Sequence, residues 1–159
     1  YAGFRQFMHA SGIDMVHVAY KGGGPSITGL VGNEVQLVFD TFGGSRALAE
    51  SGKLRAIAVT SPARSALMPE VPTVSESGLK DFSAVYWLGL FAPAKTPPAV
   101  VDRLYQAFKA SLDSPNVKAR MLEQGNVSQA LPPQEFGAVL DADIQRYRGI
   151  IESARITVD

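Results

Sequence analysis

The chain has 159 residues, 46% of them apolar and 19% charged, a globular composition long enough for one ordinary domain. Lys+Arg and Asp+Glu are both 15, so the zero net charge favours neither nucleic acid nor an anionic membrane as partner. The absence of cysteine excludes disulfides, thiolate metal sites and a cysteine nucleophile, and leaves the compartment open. No apolar run approaches the ~20 residues of a membrane-spanning helix, and no signal peptide is visible.

The chain opens at Tyr1, without Met, inside a helical pattern. Phe4, Phe7 and Met8 recur at helical spacing, and no capping residue precedes them. The expectation is a chain whose N-terminal portion, with any targeting segment, lies outside this sequence. The first helix should reach Ser11 and stop at Gly12. Residues 15–20 read as strand, 25–31 as a short helix ended by Gly32, and 35–40 as strand. Residues 45–50 read as helix, stopped near Gly52, and 54–60 as strand. Strands with little alternation, separated by helices, predict a parallel sheet covered on both faces.

Residues 62–78 read as irregular, with Pro62, Pro69 and Pro72. A short helix is expected to start at Thr73, with Glu76 as its capping-box partner. Residues 83–92 form a long apolar stretch of strand type, broken by Pro93 to Pro98. From Pro98 the pattern is helical: 98–112, then 116–123 ended by Gly125, then 133–154. No internal repeat or low-complexity tract is present.

In a parallel sheet the strand C-termini share one rim, and ligands bind outside it. Three segments should gather there. The first is Tyr20, Lys21, Gly22, Gly23, Gly24, Pro25 and Ser26, a glycine turn after which Pro25 opens a helix. Its N–H groups and the positive helix end suit an anion. The second is Asp40 and Thr41, running on to Ser45; the third is Thr60 with Ser61. Each has a plainer reading: a turn that only needs glycine, a capping Asp40, a packed Tyr20, a solvated Lys21. Trp87 reads as core before cleft wall.

Catalytic patterns are thin. His9 and His17 stand on a helix and a strand, with no Asp or Glu at zinc-ligand spacing. The phosphate-loop order and the nucleophile-elbow motif are absent. Asp141 and Asp143 fall about 200° apart on a helix and do not converge. No catalytic residue, metal or cofactor is expected. Two alternatives stay open: a small α/β enzyme holding a phosphorylated substrate at the Gly22 to Ser26 turn, and a lobe that only contacts a partner protein.

Five motifs in order carry a family resemblance. Residues 14–26, Asp-Met-Val-His-Val-Ala-Tyr-Lys-Gly-Gly-Gly-Pro-Ser, resemble the segment D-I-V-H-V-P-Y-K-G-G-G-P-A of the tripartite tricarboxylate transporter receptors, the Bug proteins. Residues 35–40, 51–60, 69–78 and 87–93 are similar to that family's V-D-L-M-F-D, A-G-K-L-R-A-L-A-V-T, P-D-V-P-T-V-A-E-A-G and W-F-G-L-L-A-P segments. The chain departs at Ala19, where proline is usual, and at Thr41, where asparagine is common.

The resemblance implies an α/β, two-lobe architecture of the type II periplasmic-binding-protein kind, within a longer protein. Residues 1–82 would be most of lobe two, 83–92 a crossing hinge strand, and 93–159 the helical C-terminal part of lobe one. A lobe-one loop and a serine-containing loop before the first helix, both outside this sequence, would help hold the ligand. The implied function is capture of a small carboxylate (a di- or tricarboxylate, an amino acid or an aromatic acid) by lobe closure. Membrane subunits of the transporter would then take it. The resemblance further implies a periplasmic location, a signal peptide in the part outside this sequence, and a monomer at full length.

Overall fold

The computed structural model describes residues 2–153. They form six helices: α1 (Ala2–Ser11), α2 (Gly23–Val31), α3 (Phe42–Glu50), α4 (Pro98–Asp113), α5 (Pro115–Glu123) and α6 (Pro133–Ser153). The chain divides into two compact units between Val85 and Tyr86.

In the first unit, α1 ends as expected. Gly12 takes φ 68°, a left-handed value suited to glycine, and its N–H bonds the Met8 carbonyl at 2.9 Å. The apolar face of α1 meets aromatic rings: Phe4 and Phe7 both pack on Phe39, Phe4 also on His17, and Phe7 edge-on against Phe82 at 6.0 Å. The core proper is Val71, Val74 and Phe82 around a buried Thr73, which is only 2% exposed.

Thr73 is buried because its polar groups are satisfied. Its N–H donates to Glu76 Oε2 at 2.7 Å, and the Glu76 N–H donates to Thr73 Oγ1 at 3.0 Å, the reciprocal pair of a capping box. Arg64 Nε bonds both Glu76 carboxylate oxygens, and Arg64 Nη1 bonds the Pro69 carbonyl. The Arg64 guanidinium, then the Thr73 N–H, hold the Glu76 carboxyl below its ordinary range. The expected helix at Thr73 is a single turn. Ser77 N–H reaches the Thr73 carbonyl, and the chain then turns away at Gly78, with φ 121°.

The parallel sheet is where expectation and structure part. Among the described residues no strand ladder forms over 15–20, 35–40, 54–60 or 83–92; the one pairing is an isolated parallel bridge, Val59 with Thr73. Its direction matches the expected parallel arrangement. Apolar periodicity reports what a segment buries and not whether a partner lies the ~4.8 Å away that a ladder requires. Val16 and Leu88 accordingly stand 91% and 81% exposed.

Two helix starts also move, and the stop of α2 after Val31 has a different cause from the one expected. α2 begins at Gly23, so Pro25 is its third residue and not its first. α3 begins at Phe42, three residues before the expected Ser45. Gly32 does not stop α2 by left-handed geometry, since its φ is −76°. Asn33 does, at φ 59°, while Glu34 N–H caps the Gly29 carbonyl at 2.8 Å. Asparagine tolerates the left-handed region and so substitutes for glycine here.

The second unit follows the pattern closely. Pro98 and Pro115 sit at helix starts, where a missing N–H costs nothing. Ser114 Oγ accepts from Val117 N–H at the head of α5, and Gly125, at φ 74°, closes it. Residue 154 of the expected third helix lies outside the described residues. Asp113, at the end of α4, takes Lys109 Nζ at 2.6 Å and Lys118 Nζ at 2.9 Å. These two ammonium groups hold its carboxyl down to about 2.

Trp87 belongs to this unit's packing. Its indole N–H donates to Asp143 Oδ2 at 2.6 Å, and its ring meets Phe136 edge-on at 5.0 Å. A Cβ on Gly89 would overlap the Phe136 ring. Tyr86 O–H donates to Asn126 Oδ1 at 2.7 Å.

Two predictions follow from these contacts. Gly89→Ala should destabilise the chain by about 1–3 kcal/mol through overpacking against Phe136. Urea denaturation, followed by the fluorescence of the single tryptophan, checks it. Asp113 has a folded carboxyl near about 2 against an ordinary 3.8, so its stabilisation is present above 3.8 and is lost as pH falls through about 2. Asp113→Asn should therefore lower the thermal midpoint at neutral pH and converge on the unmodified protein across that window. A difference that persists to the lowest pH would contradict this.

Candidate functional site

The glycine turn is built by one backbone angle. Gly22 takes φ 106° and ψ 178°, a region essentially closed to side chains, and it feeds the chain into α2 as its N-cap. In the first turn, Pro25 has no N–H and Ser26 N–H returns to the Gly22 carbonyl at 3.4 Å. Two N–H groups, those of Gly23 and Gly24, keep no partner among the described residues. The hydroxyls are committed elsewhere: Ser26 Oγ donates to the Gly23 carbonyl at 2.7 Å, and Thr28 Oγ1 to that of Gly24 at 3.2 Å.

Asp40 meets this turn. Its Oδ1 lies 3.0 Å from where a Cβ on Gly23 would sit, and its Oδ2 lies 2.5 Å from the corresponding point on Gly44. The carboxylate thus lies against the first turns of α2 and α3, where a side chain at 44, and to a lesser degree at 23, would press on it. Oδ2 is buried and accepts no hydrogen bond. Both helix N-termini carry positive dipole ends, which favour an anion at this position. Thr41 caps α3 through its backbone, its carbonyl taking Gly44 N–H at 3.1 Å and Ser45 Oγ at 3.2 Å. Its side chain makes no cap bond.

Gly22, Gly23, Gly24, Asp40 and Thr41 are therefore brought together, with Pro25 and Ser26 in the same helical turn. Lys21 is exposed beside them and makes no ion pair among the described residues. The Tyr20 side chain goes elsewhere. Its phenol donates to Glu34 Oε2 at 3.2 Å, and a Cβ on Gly29 would overlap it. Burial, then the Glu34 carboxylate, raises the phenol above its ordinary range. Thr60 offers its carbonyl to Ala84 N–H at 2.9 Å, and no contact joins it to Asp40 or the glycine turn. Ser61 Oγ bonds the Ala63 carbonyl.

Glu34 escaped the sequence reading, and Gly44 entered it only as part of the rim segment from Asp40 to Ser45. The pair Gly43-Gly44, three and four residues after Asp40, was the available signal for a close approach at the start of α3. Nothing in the sequence points Tyr20 at Glu34, because 14 residues separate them.

With this geometry in place, the comparisons can be set beside it. Residues 2–156 match the model of the tripartite tricarboxylate transporter family receptor, and the chain belongs to that family. A curated relative from Agrobacterium vitis, the UPF0065 protein in the TAR-I ttuE-ttuC' intergenic region, is 34% identical over 94% of this chain and 44% of its own length. Rpa4515 of R. palustris, solved with adipate, superposes with a TM-score of 0.89 at 28% identity, over 98% of this chain and 52% of that one. The periplasmic binding protein BugD gives 0.85 at 30%, over 97% and 52%. MatC from Rhodopseudomonas palustris with bound malate gives 0.84 at 28%, over 95% and 52%.

The fold is thus that of about half of a two-lobe periplasmic binding protein of the α/β kind, and the family is one of receptors, not of enzymes. The chain spans about half the length of the relatives it matches.

Gly22→Ala should cost about 1–3 kcal/mol of stability, because alanine cannot hold φ 106° without strain. Thermal unfolding of the variant beside the unmodified chain measures it. An unchanged midpoint would mean that the turn relaxes to another conformation.

Proposed function

We propose that this chain is the part of a periplasmic receptor that seats a small carboxylate at the start of α2. The observation that carries this reading is the pair of unpartnered N–H groups on Gly23 and Gly24, at a positive helix end, with the uncommitted Lys21 beside them. An anion there satisfies two donors that otherwise face water. The adipate and malate held by two structural relatives are acids of the same class.

In this reading residues 1–82 form most of one lobe, 83–92 cross between lobes, and 93–159 complete the other. Ligand seated on one lobe gains contacts from the other, which shifts the population toward a closed form. Membrane subunits of a tripartite transporter then take the acid. The receptor works in the periplasm, as the protein BugD is described to do. Tyr20 contributes by holding α2 through Glu34, and Thr60 by fixing the crossing segment at Ala84 through its carbonyl, while Thr41 and Asp40 border the seat.

The experiment is a thermal-shift screen of mono-, di- and tricarboxylates, aromatic acids and amino acids against the purified protein. At 100 times its dissociation constant, a true ligand should stabilise the chain by about 2.7 kcal/mol and emerge chemically unchanged. Lys21→Ala should weaken that ligand. Stabilisation by phosphate esters but by no carboxylate would refute the receptor reading.

A further inference from the structure

The seat for an anion contains an anion of its own. Asp40 makes no hydrogen bond or ion pair among the described residues. Its two oxygens differ: Oδ2 is buried against Gly44, whereas Oδ1 faces the first turn of α2 and is not enclosed. Oδ1 is therefore an open acceptor beside Gly23, in the helical turn that carries the open donors of Gly23 and Gly24. No neighbouring side chain bonds it among the described residues: Ser26 and Thr28 spend their hydroxyls on backbone carbonyls, and Lys21 makes no ion pair. Glycine at 23 and 44 leaves the space that the carboxylate occupies beside the two helix starts.

A bare carboxylate on the Gly23 and Gly24 N–H groups would face Oδ1 with like charge. A ligand relieves that repulsion if it presents an O–H or N–H to Oδ1 while its carboxylate takes the helix donors. A hydrogen bond to an ionised acceptor is among the stronger kinds, and leaving such an acceptor unpaired on desolvation is costly. We infer that Asp40 is the specificity-determining residue of this site and selects acids bearing a hydroxyl or ammonium donor next to the bound carboxylate. The inference rests on the receptor reading above. It also gives a chemical criterion that separates adipate, which has no such donor, from malate, which has a hydroxyl.

The test is isothermal titration calorimetry of the unmodified protein with acids matched in skeleton. Succinate is compared with malate and aspartate, propionate with lactate and alanine, and phenylacetate with mandelate and phenylglycine. For the skeleton that binds, the donor-bearing acid should bind about tenfold or more tightly than the plain one, the scale of one charge-assisted hydrogen bond. Asp40→Asn should shrink that gap, with the plain acid gaining affinity. If the ammonium acid loses most in the variant, the donor is a cation; if the hydroxyl acid loses most, it is neutral.

Equal affinity of plain and donor-bearing acids for the unmodified protein would overturn the assignment while leaving the receptor reading intact. That comparison needs no variant, so a failure of Asp40→Asn to fold does not remove it. A gap unchanged in a folded Asp40→Asn protein would also overturn it. Binding of none of these acids, with no carboxylate active in the thermal-shift screen either, would overturn the receptor reading and this inference together.

Discussion

The Glu76 carboxylate organises the first unit. It accepts the Thr73 N–H at 2.7 Å and both approaches of Arg64 Nε, so one side chain closes a turn and pins a loop. Satisfying Thr73 is what allows that residue to be buried among Val71, Val74 and Phe82. The turn in turn fixes Val59, whose N–H and carbonyl are taken by Pro72 and by the Val74 N–H. From Phe82 a line of ring contacts runs through Phe7 to Phe39, the residue before Asp40. The carboxylate of the candidate site is thereby linked to a capping box 36 residues further along the chain.

Local rules made part of this legible. Proline at the starts of α4 and α5, glycine at 12, 52 and 125, and the Thr73 to Glu76 spacing all act within a few residues of themselves. Each came out where expected, except that α5 takes in Pro115, one residue before its expected start, and the Thr73 box closes one turn and not a helix. The stop of α2 was local too, yet it was misassigned, because Asn33 and not Gly32 takes the left-handed angle. Nonlocal facts were harder. A ladder needs a partner strand, and the apolar runs at 15–20, 35–40, 54–60 and 83–92 carry no information on which segment lies beside which. For the same reason the Tyr20 to Glu34 and Trp87 to Asp143 bonds could not be foreseen, 14 and 56 residues apart as they are.

Glycine does two distinct jobs at the candidate site, and only one was readable. Gly22 is required by its own backbone angle, a property that a glycine-rich turn after an apolar run announces. Gly23 and Gly44 have ordinary helical positions and are required by a neighbour, the Asp40 carboxylate. Such a requirement appears only when two helix starts are brought side by side. It also explains the absence of side chains at 23 and 44: the polar groups there are backbone donors and one acid.

The energetics of that acid argue against a purely structural role. Leaving a buried oxygen unpartnered costs about 1–3 kcal/mol. The two helix N-termini beside Asp40 return about 0.3–1 kcal/mol each at exposed sites. The two ranges overlap, so the carboxylate gives the folded chain little net stability where an apolar or neutral side chain would carry no such penalty. Its placement is better understood from the open side, where Oδ1 stands next to two unpaired N–H groups. A surface that offers donors and an acceptor within one helical turn matches a molecule that carries the complementary pair, and a single anion fills only half of it.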